Sequence, residues 1–345
     1  MKRHRRGTVF AWVVGSLAVL GASVVLAWHV SAPSWGESVK FRSWFSKVPW
    51  RSMAACRCAG GRAVEIVRPD GIRLAGSIDR PPPSAHRQRA ILMLHGNTPA
   101  GKRLGIYRVL SRGLADRGFV VLSVDFAGFG ESEDAFRLGS RGAVNQDLDA
   151  RAALRYLMTL DGGTESLDVV CHSMGCNAGF SVGLAEPAVR AIVAIGPPRR
   201  NPERFQDPAD NEYFWQRARQ TRQWVLETDF PAWYTKEIWL EDRLARNLER
   251  HLEILSRSPH KPVLLMDGEL ESEADRAYLR DYFERMAEPK TYVTVPRSNH
   301  YGNTVSGLGL ALYDREVIAR TVDEIARFLG SVDNRNTSHA ATGSR

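Results

Sequence analysis

The chain has 345 residues, 43% of them hydrophobic and 25% charged, with four cysteines and a formal net charge of +8. That length fits one domain of about 280 residues with a full core, plus an anchor, and four cysteines are too few for a disulfide framework. Residues 1–62 carry ten Lys or Arg against one acid, Glu37, which exceeds the whole chain's positive excess, so nothing argues for nucleic-acid binding by the rest.

At the N-terminus, Met1-Lys2-Arg3-His4-Arg5-Arg6 precedes Thr8–Val30, 23 residues without Asp, Glu, Lys or Arg. As a helix it would measure roughly 34 Å, enough to cross the bilayer core, whereas a secretory signal peptide has an apolar core of only about 7–15 residues. Residues 1–30 therefore read as a cytoplasmic basic stub and an uncleaved transmembrane signal-anchor, with Trp28 at headgroup level. Lys2, Arg3, Arg5 and Arg6 favour a cytoplasmic N-terminus and an extracytoplasmic domain; Lys40, Arg42 and Lys47 on the far side oppose that orientation. Residues 31–62 form a basic, aromatic juxtamembrane segment. Its Phe41, Trp44, Phe45 and Val48 share one helical face, suited either to anionic lipid or to packing on the following domain.

Short apolar strands then alternate with helices. Ala90–Leu94 ends in His95-Gly96-Asn97, a helix follows over about Leu104–Arg117, and Phe119–Asp125 leads into Asp125-Phe126-Ala127-Gly128-Phe129-Gly130-Glu131-Ser132. A helix over about Ala143–Leu160 carries Leu148, Ala152, Leu154, Leu157 and Met158 near the helical period. Strands are expected at Leu167–His172, Ala191–Gly196, Pro262–Met266 and Tyr292–Val295, with helices at about Ala274–Met286 and Glu316–Leu329. This alternation predicts an α/β fold with a mostly parallel central sheet and helices on both faces. The tail 331–345 is small and polar and reads as disordered.

Cys171-His172-Ser173-Met174-Gly175 joins a buried strand to a helix. Such an elbow exposes a serine hydroxyl on a sharp turn and aims the amide of the next residue, Met174, at a developing oxyanion. Small residues flank the serine because strand and helix pass closely. Gly175 meets that need, and Cys171 stands where a glycine is usual; an ordinary helix N-cap at Ser173 is the bland alternative. Gly96-Asn97-Thr98-Pro99-Ala100-Gly101-Lys102 has the spacing of a phosphate-binding loop, but Arg103 replaces the needed hydroxyl and Pro99 removes an amide. His95, His172 and Cys171 lack metal-ligand spacing. Neither a metal nor any other cofactor is implied.

Together, His95-Gly96-Asn97, the Asp125–Ser132 run, the 171–175 elbow, the Gly268-to-Glu271 turn and Asn299-His300 resemble an α/β-hydrolase over roughly residues 64–330. The similarity is to the membrane-anchored, Bem46-like branch, which implies an α/β-hydrolase domain at 63–330 with a helical cap. It also implies Ser173 as nucleophile, His300 as general base and Glu271, where aspartate is usual, as the acid orienting His300. Asp267 and Glu269 compete for that last role, and Glu271 could instead be a helix N-terminal carboxylate; His300 could be a satisfied loop histidine. By the same resemblance the amides of Asn97 and Met174 hold the oxyanion.

The cap falls at 198–260 and is rich in aromatic residues, namely Tyr213, Phe214, Trp215, Trp224, Phe230, Trp233, Tyr234 and Trp239. Most are expected to form its own core. Leu240, Leu244, Leu248, Leu252 and Leu255 read as a stripe on one helix. Its eleven basic and eleven acidic residues balance, so no charged substrate is favoured and a hydrophobic acyl group is left by elimination. The expected function is a serine hydrolase of small or lipid-like carboxylic esters or thioesters. A peptidase or amidase with the same triad, or a non-catalytic binding protein on this fold, are the alternatives.

Overall fold

The computed structural model describes residues 16, 18–27, 44, 46–58, 61–83, 89–160, 167–199, 207–226, 228–245, 247–257 and 259–342. Its centre is an eight-stranded sheet in the order β2-β3-β5-β4-β6-β7-β8-β9. The strands are β2 (Arg62–Val67), β3 (Arg73–Asp79), β4 (Arg89–Leu94), β5 (Phe119–Val124), β6 (Leu167–His172), β7 (Val189–Ile195), β8 (Val263–Gly268) and β9 (Lys290–Val295). From β5 to β9 every pairing is parallel, and the β2 hairpin arm joins antiparallel through β3.

Side-chain alternation divides the apolar strands between two cores. Leu92, Leu94, Val169 and Cys171 meet Ala150, Leu154, Ala178 and Phe180, from α2 (Gln146–Met158) and α3 (Gly175–Ala185). Ile91, Met93, Val170 and Val193 face the other way, onto Ile106, Leu110, Val322 and Ile325 from α1 (Gly105–Ala115) and α8 (Arg315–Thr342). Leu148, counted with the apolar face of α2, is instead exposed. Asn145 starts α2 by accepting hydrogen bonds from the amides of Asp147 and Leu148, which places its first turn after the expected Ala143.

One expected boundary shifts at the start of the chain. The domain begins before residue 63, because β1 (Met53–Cys56) pairs antiparallel with β11 (Leu310–Asp314), which in turn pairs with β10 (Thr304–Gly307). Trp44 and Val48 are buried against Val305, and Trp44 Nε1 donates to the Asn303 carbonyl at 2.8 Å, so these two side chains pack on the domain. Phe41 and Phe45 lie outside the described residues. Cys56 and Cys58 are joined as a disulfide, and Cys171 and Cys176 are free and buried. At the other end, α8 runs on to Thr342. No Pro or Gly interrupts residues 331–342, and propagating a helix that tertiary packing has already nucleated is far easier than starting one.

Most of the Thr8–Val30 span lies outside the described residues. Residues 18–27 are helical, with Val19, Leu20, Val24 and Leu26 exposed; among the described residues no helix is long and apolar enough to cross a membrane.

The cap, between β7 and β8, contains α4 (Pro208–Leu226), α5 (Lys236–Ala245) and α6 (Glu249–Leu255). Trp215 stacks on Phe230, and Trp233, Tyr234 and Trp239 join them in an aromatic core that also takes in Phe136 from the loop after β5. The leucine stripe is split between α5 and α6, where Asn247 Oδ1 accepts the Glu249 amide. Leu248, Leu252 and Leu255 join the main core, Leu240 joins the cap and Leu244 is exposed.

Buried charge clamps the loops above the sheet. Lys102 donates from Nζ to Asp125 Oδ2 at 2.7 Å and to Glu131 at 2.8 Å, and its amide donates to Asp125 Oδ1 at 2.5 Å. Asp125 is fully buried. The lysine of the phosphate-loop-like run is therefore committed to the Asp125–Ser132 loop. Removing one member of such a pair strands a buried charge, so Lys102→Met should lower unfolding free energy by about 3–5 kcal/mol in urea titrations.

His251, on α6, lies beside Phe180 at 5.8 Å between ring centroids, and burial pushes its pKa down to about 4, helped by the adjacent Arg250 charge. The unfolded ring titrates near 6.5. The folded state thus refuses a proton that the unfolded state takes, and this contribution is complete above about pH 6.5 and lost as pH falls towards about 4. Tryptophan-monitored urea unfolding should show that loss across this window, with a shallower slope in His251→Phe.

Candidate active site

Ser173 sits between β6 and α3 with φ +50°, a left-handed conformation that non-glycine residues rarely adopt. Its amide is held by the Ile195 carbonyl at 2.9 Å. The strain follows from packing. A Cβ on Gly175 would fall 2.5 Å from the His95 carbonyl oxygen and 2.9 Å from that of Leu94, so the first turn of α3 touches the neighbouring strand end directly. Cys171 is accommodated because Gly179 lies across from it, where an added Cβ would meet the sulfur at 2.6 Å; the thiol donates to the Val193 carbonyl. Cysteine at the usual glycine position thus has its space supplied one helical turn along α3.

Glu271 and His300 are brought together. His300 Nδ1 lies 3.1 Å from Glu271 Oε2, and Glu271 Oε1 accepts the Gly268 amide at 3.1 Å. Their loops are locked to each other, the Leu270 amide donating to the Ser298 carbonyl at 2.8 Å, while a Cβ on Gly268 would lie 2.4 Å from that same oxygen. The Glu271 side chain is 9% exposed and that of His300 31%, so the carboxylate is buried while the ring is accessible. The competing acids are engaged elsewhere. Asp267 accepts from Tyr292 Oη at 2.7 Å, and Glu269 accepts the Arg297 amide at 2.7 Å. Ser272, rather than Glu271, caps α7 (Glu273–Glu284) by accepting the Asp275 amide.

Gly196, at the end of β7, joins the serine side to the base side. Its amide follows the Ile195 carbonyl that holds Ser173, and a Cβ there would be 3.0 Å from the His300 ring and 3.1 Å from Glu271 Oε1. Among the described residues no hydrogen bond links Ser173 Oγ to His300 Nε2, a contact that is often long without substrate. The amides of Asn97 and Met174 likewise donate to no group among the described residues. Gly96 packs against the elbow, an added Cβ falling 2.8 Å from Ser173 Cβ.

Among the described residues no group of His, Cys, Asp and Glu is placed to hold a metal ion, and His95 and His172 are engaged in hydrogen bonds. His95 Nε2 accepts the Phe126 amide at 3.0 Å and Nδ1 meets the Gly96 carbonyl at 2.7 Å, while burial pushes its pKa down, so the ring is neutral and bears its hydrogen on Nδ1. Tyr107, on α1, had no sequence signal at all, yet its hydroxyl lies 2.8 Å from His172 Nδ1. The two are 65 residues apart in the chain and meet only because α1 packs against the sheet beside the elbow, which no local spacing reports.

Residues 91–306 match the alpha/beta hydrolase family. Among curated proteins nothing matches the chain significantly. The esterase domain of a Rhodothermus marinus protein superposes with a TM-score of 0.52 at 21% identity, covering 77% of this chain and 96% of that one. Est1E from Butyrivibrio proteoclasticus, with ferulic acid bound, gives 0.54 at 17% identity over 79% of this chain and all of its own. A Pyrococcus furiosus esterase gives 0.52 at 16% identity, over 79% and 92% of the two chains. At such identities the likeness is one of fold. The family match spans more than half of the chain, and the chain belongs to the alpha/beta hydrolase family.

Proposed function

We propose that the protein is a serine hydrolase of carboxylic esters or thioesters, with Ser173 as nucleophile, His300 as general base and Glu271 as the acid that orients His300. The observation that carries this reading is the 3.1 Å pairing of His300 Nδ1 with Glu271, in loops packed beside a serine held at positive φ. Ser173 Oγ attacks the acyl carbon as His300 Nε2 takes its proton. The oxyanion collects hydrogen bonds from the Met174 and Asn97 amides, and the leaving alkoxide or thiolate departs with the proton from His300. Water, activated by the same ring, then cleaves the acyl-enzyme. The balanced charge of the cap favours a neutral, hydrophobic acyl group.

The esterases among the solved structures of similar fold support an ester substrate. The exposed aliphatic side chains of residues 18–27 support a single-pass membrane anchor. The basic stub and the Cys56–Cys58 disulfide favour an extracytoplasmic hydrolase domain.

Ser173→Ala should abolish both fluorophosphonate labelling and hydrolysis of short p-nitrophenyl esters without changing the circular dichroism spectrum; persistent labelling would remove Ser173 from the mechanism. Glu271→Gln should cut kcat by about 10⁴-fold at similar KM, by analogy with loss of the orienting acid in other triads. Steady-state kinetics of Asp267→Asn and Glu269→Gln provide the control, since a comparable loss in either would transfer the acid's role. In cells the full chain should resist carbonate extraction from membranes, and a mature N-terminus near Pro33 would instead mean a cleaved signal peptide.

A further inference from the structure

Three groups outside the triad form a directed chain of hydrogen bonds between the two sides of the site. The Gly96 amide donates to Tyr107 Oη at 2.7 Å, Tyr107 Oη lies 2.8 Å from His172 Nδ1, and His172 Nε2 lies 2.7 Å from the His300 carbonyl oxygen. A carbonyl only accepts, so His172 Nε2 carries the hydrogen. In the neutral ring Nδ1 then accepts, which makes the Tyr107 hydroxyl its donor and leaves the hydroxyl oxygen to accept from Gly96. Every bond in the series is satisfied by this one assignment. Tyr107 and His172 are 1% and 2% exposed, so water offers little replacement for either group.

The two ends of this chain matter. Gly96 precedes Asn97, whose amide is the donor assigned to the oxyanion, and the Gly96 carbonyl is held from the other side by His95 Nδ1. In a trans peptide the C=O and N–H point in opposite directions, so fixing the Gly96 carbonyl on His95 fixes the Asn97 N–H away from it. At the far end, His172 holds the backbone of the general base itself. Its ring also lies beside the His300 ring, with centroids 4.7 Å apart.

We propose that Tyr107 and His172 are positioning residues which tie the Gly96-Asn97 loop to the His300 loop, holding the oxyanion donor and the general base in fixed relation about Ser173. This rests on the serine-hydrolase reading above. Neither side chain reaches substrate in this role. Both act through the backbone, and their loss should weaken transition-state stabilisation more than substrate binding, because a loop displaced by about 1 Å can cost about 10²-fold in rate.

The test uses the full chain in detergent, with active sites counted by stoichiometric fluorophosphonate labelling. Tyr107→Phe keeps the ring and removes the hydroxyl. It should lower kcat per labelled site by about 10–10²-fold while KM stays within about threefold, the signature of an interaction made in the transition state. An unchanged kcat per site, with only the labelled fraction or Tm reduced, would show a merely structural role and overturn the proposal. The His172 variants decide the matter independently. A glutamine amide can both accept from Tyr107 and donate to the His300 carbonyl, whereas leucine can do neither. His172→Gln should therefore retain at least about tenfold more kcat per site than His172→Leu, and equal values would sink the proposal even if Tyr107→Phe folds too poorly to count. Failure of the wild-type chain to label would overturn the hydrolase reading, and this proposal with it. A labelled, active wild type with insensitive variants overturns the positioning role alone.

Discussion

The close approach of α3 to the end of β4 is the constraint on which the site depends. Gly175 packs on the His95 and Leu94 carbonyls, leaving no room for a side chain, and the chain can make that contact only by turning sharply at Ser173. The cost is a serine at φ +50°, of order 1–3 kcal/mol for a non-glycine residue. The surrounding sheet over-determines this geometry, since β6 is hydrogen-bonded on both edges, to β4 and to β7, and its residues are buried on both faces. A serine on a loose loop would relax out of this conformation. Here the packing of α3 on the end of β4 holds it in place.

Polar groups above the sheet do comparable work for the loops. Asp125 accepts from the Lys102 amide and ammonium and from the Glu131 amide, while Ser132 Oγ donates to the Asp125 carbonyl at 2.7 Å and accepts the Ala75 amide. The run from Asp125 to Ser132 is therefore a structural knot rather than a set of reacting groups. His95 serves the same end by accepting the Phe126 amide and donating to Gly96, and its neutrality is a condition of that arrangement. Burial, by opposing the charged ring, keeps it in the required form.

The cap has a different character. Its aromatic side chains satisfy one another, and Arg222 lies 3.7 Å from the Phe136 ring centroid while pairing with Asp134. That cluster anchors the cap to the loop after β5, and α6 anchors it again through Leu248, Leu252 and Leu255 in the main core. An aromatic-rich insertion is thus explained by attachment and internal packing before any substrate is considered.

The sequence by itself determined the parallel sheet, because strands buried on both faces must be apolar throughout, as Ile91–Leu94 and Val169–Cys171 are. It also determined the elbow at Ser173 and the order of elbow, acid turn and histidine loop, since each is a local pattern of a few residues. Pairings between distant segments carry no such pattern, so β1 with β11 was invisible to it and the domain boundary came out too late in the chain, while for the Trp44 face it left lipid and the domain equally open until Val305 was seen beneath it. Only the tertiary structure shows that Glu271 meets His300, because three acids within five residues are alike until Tyr292 and the Arg297 amide engage Asp267 and Glu269. It alone brought Tyr107 beneath His172, for the same physical reason: a helix crossing under a strand end is a long-range contact, and periodicity reports which face is buried but not what lies opposite it.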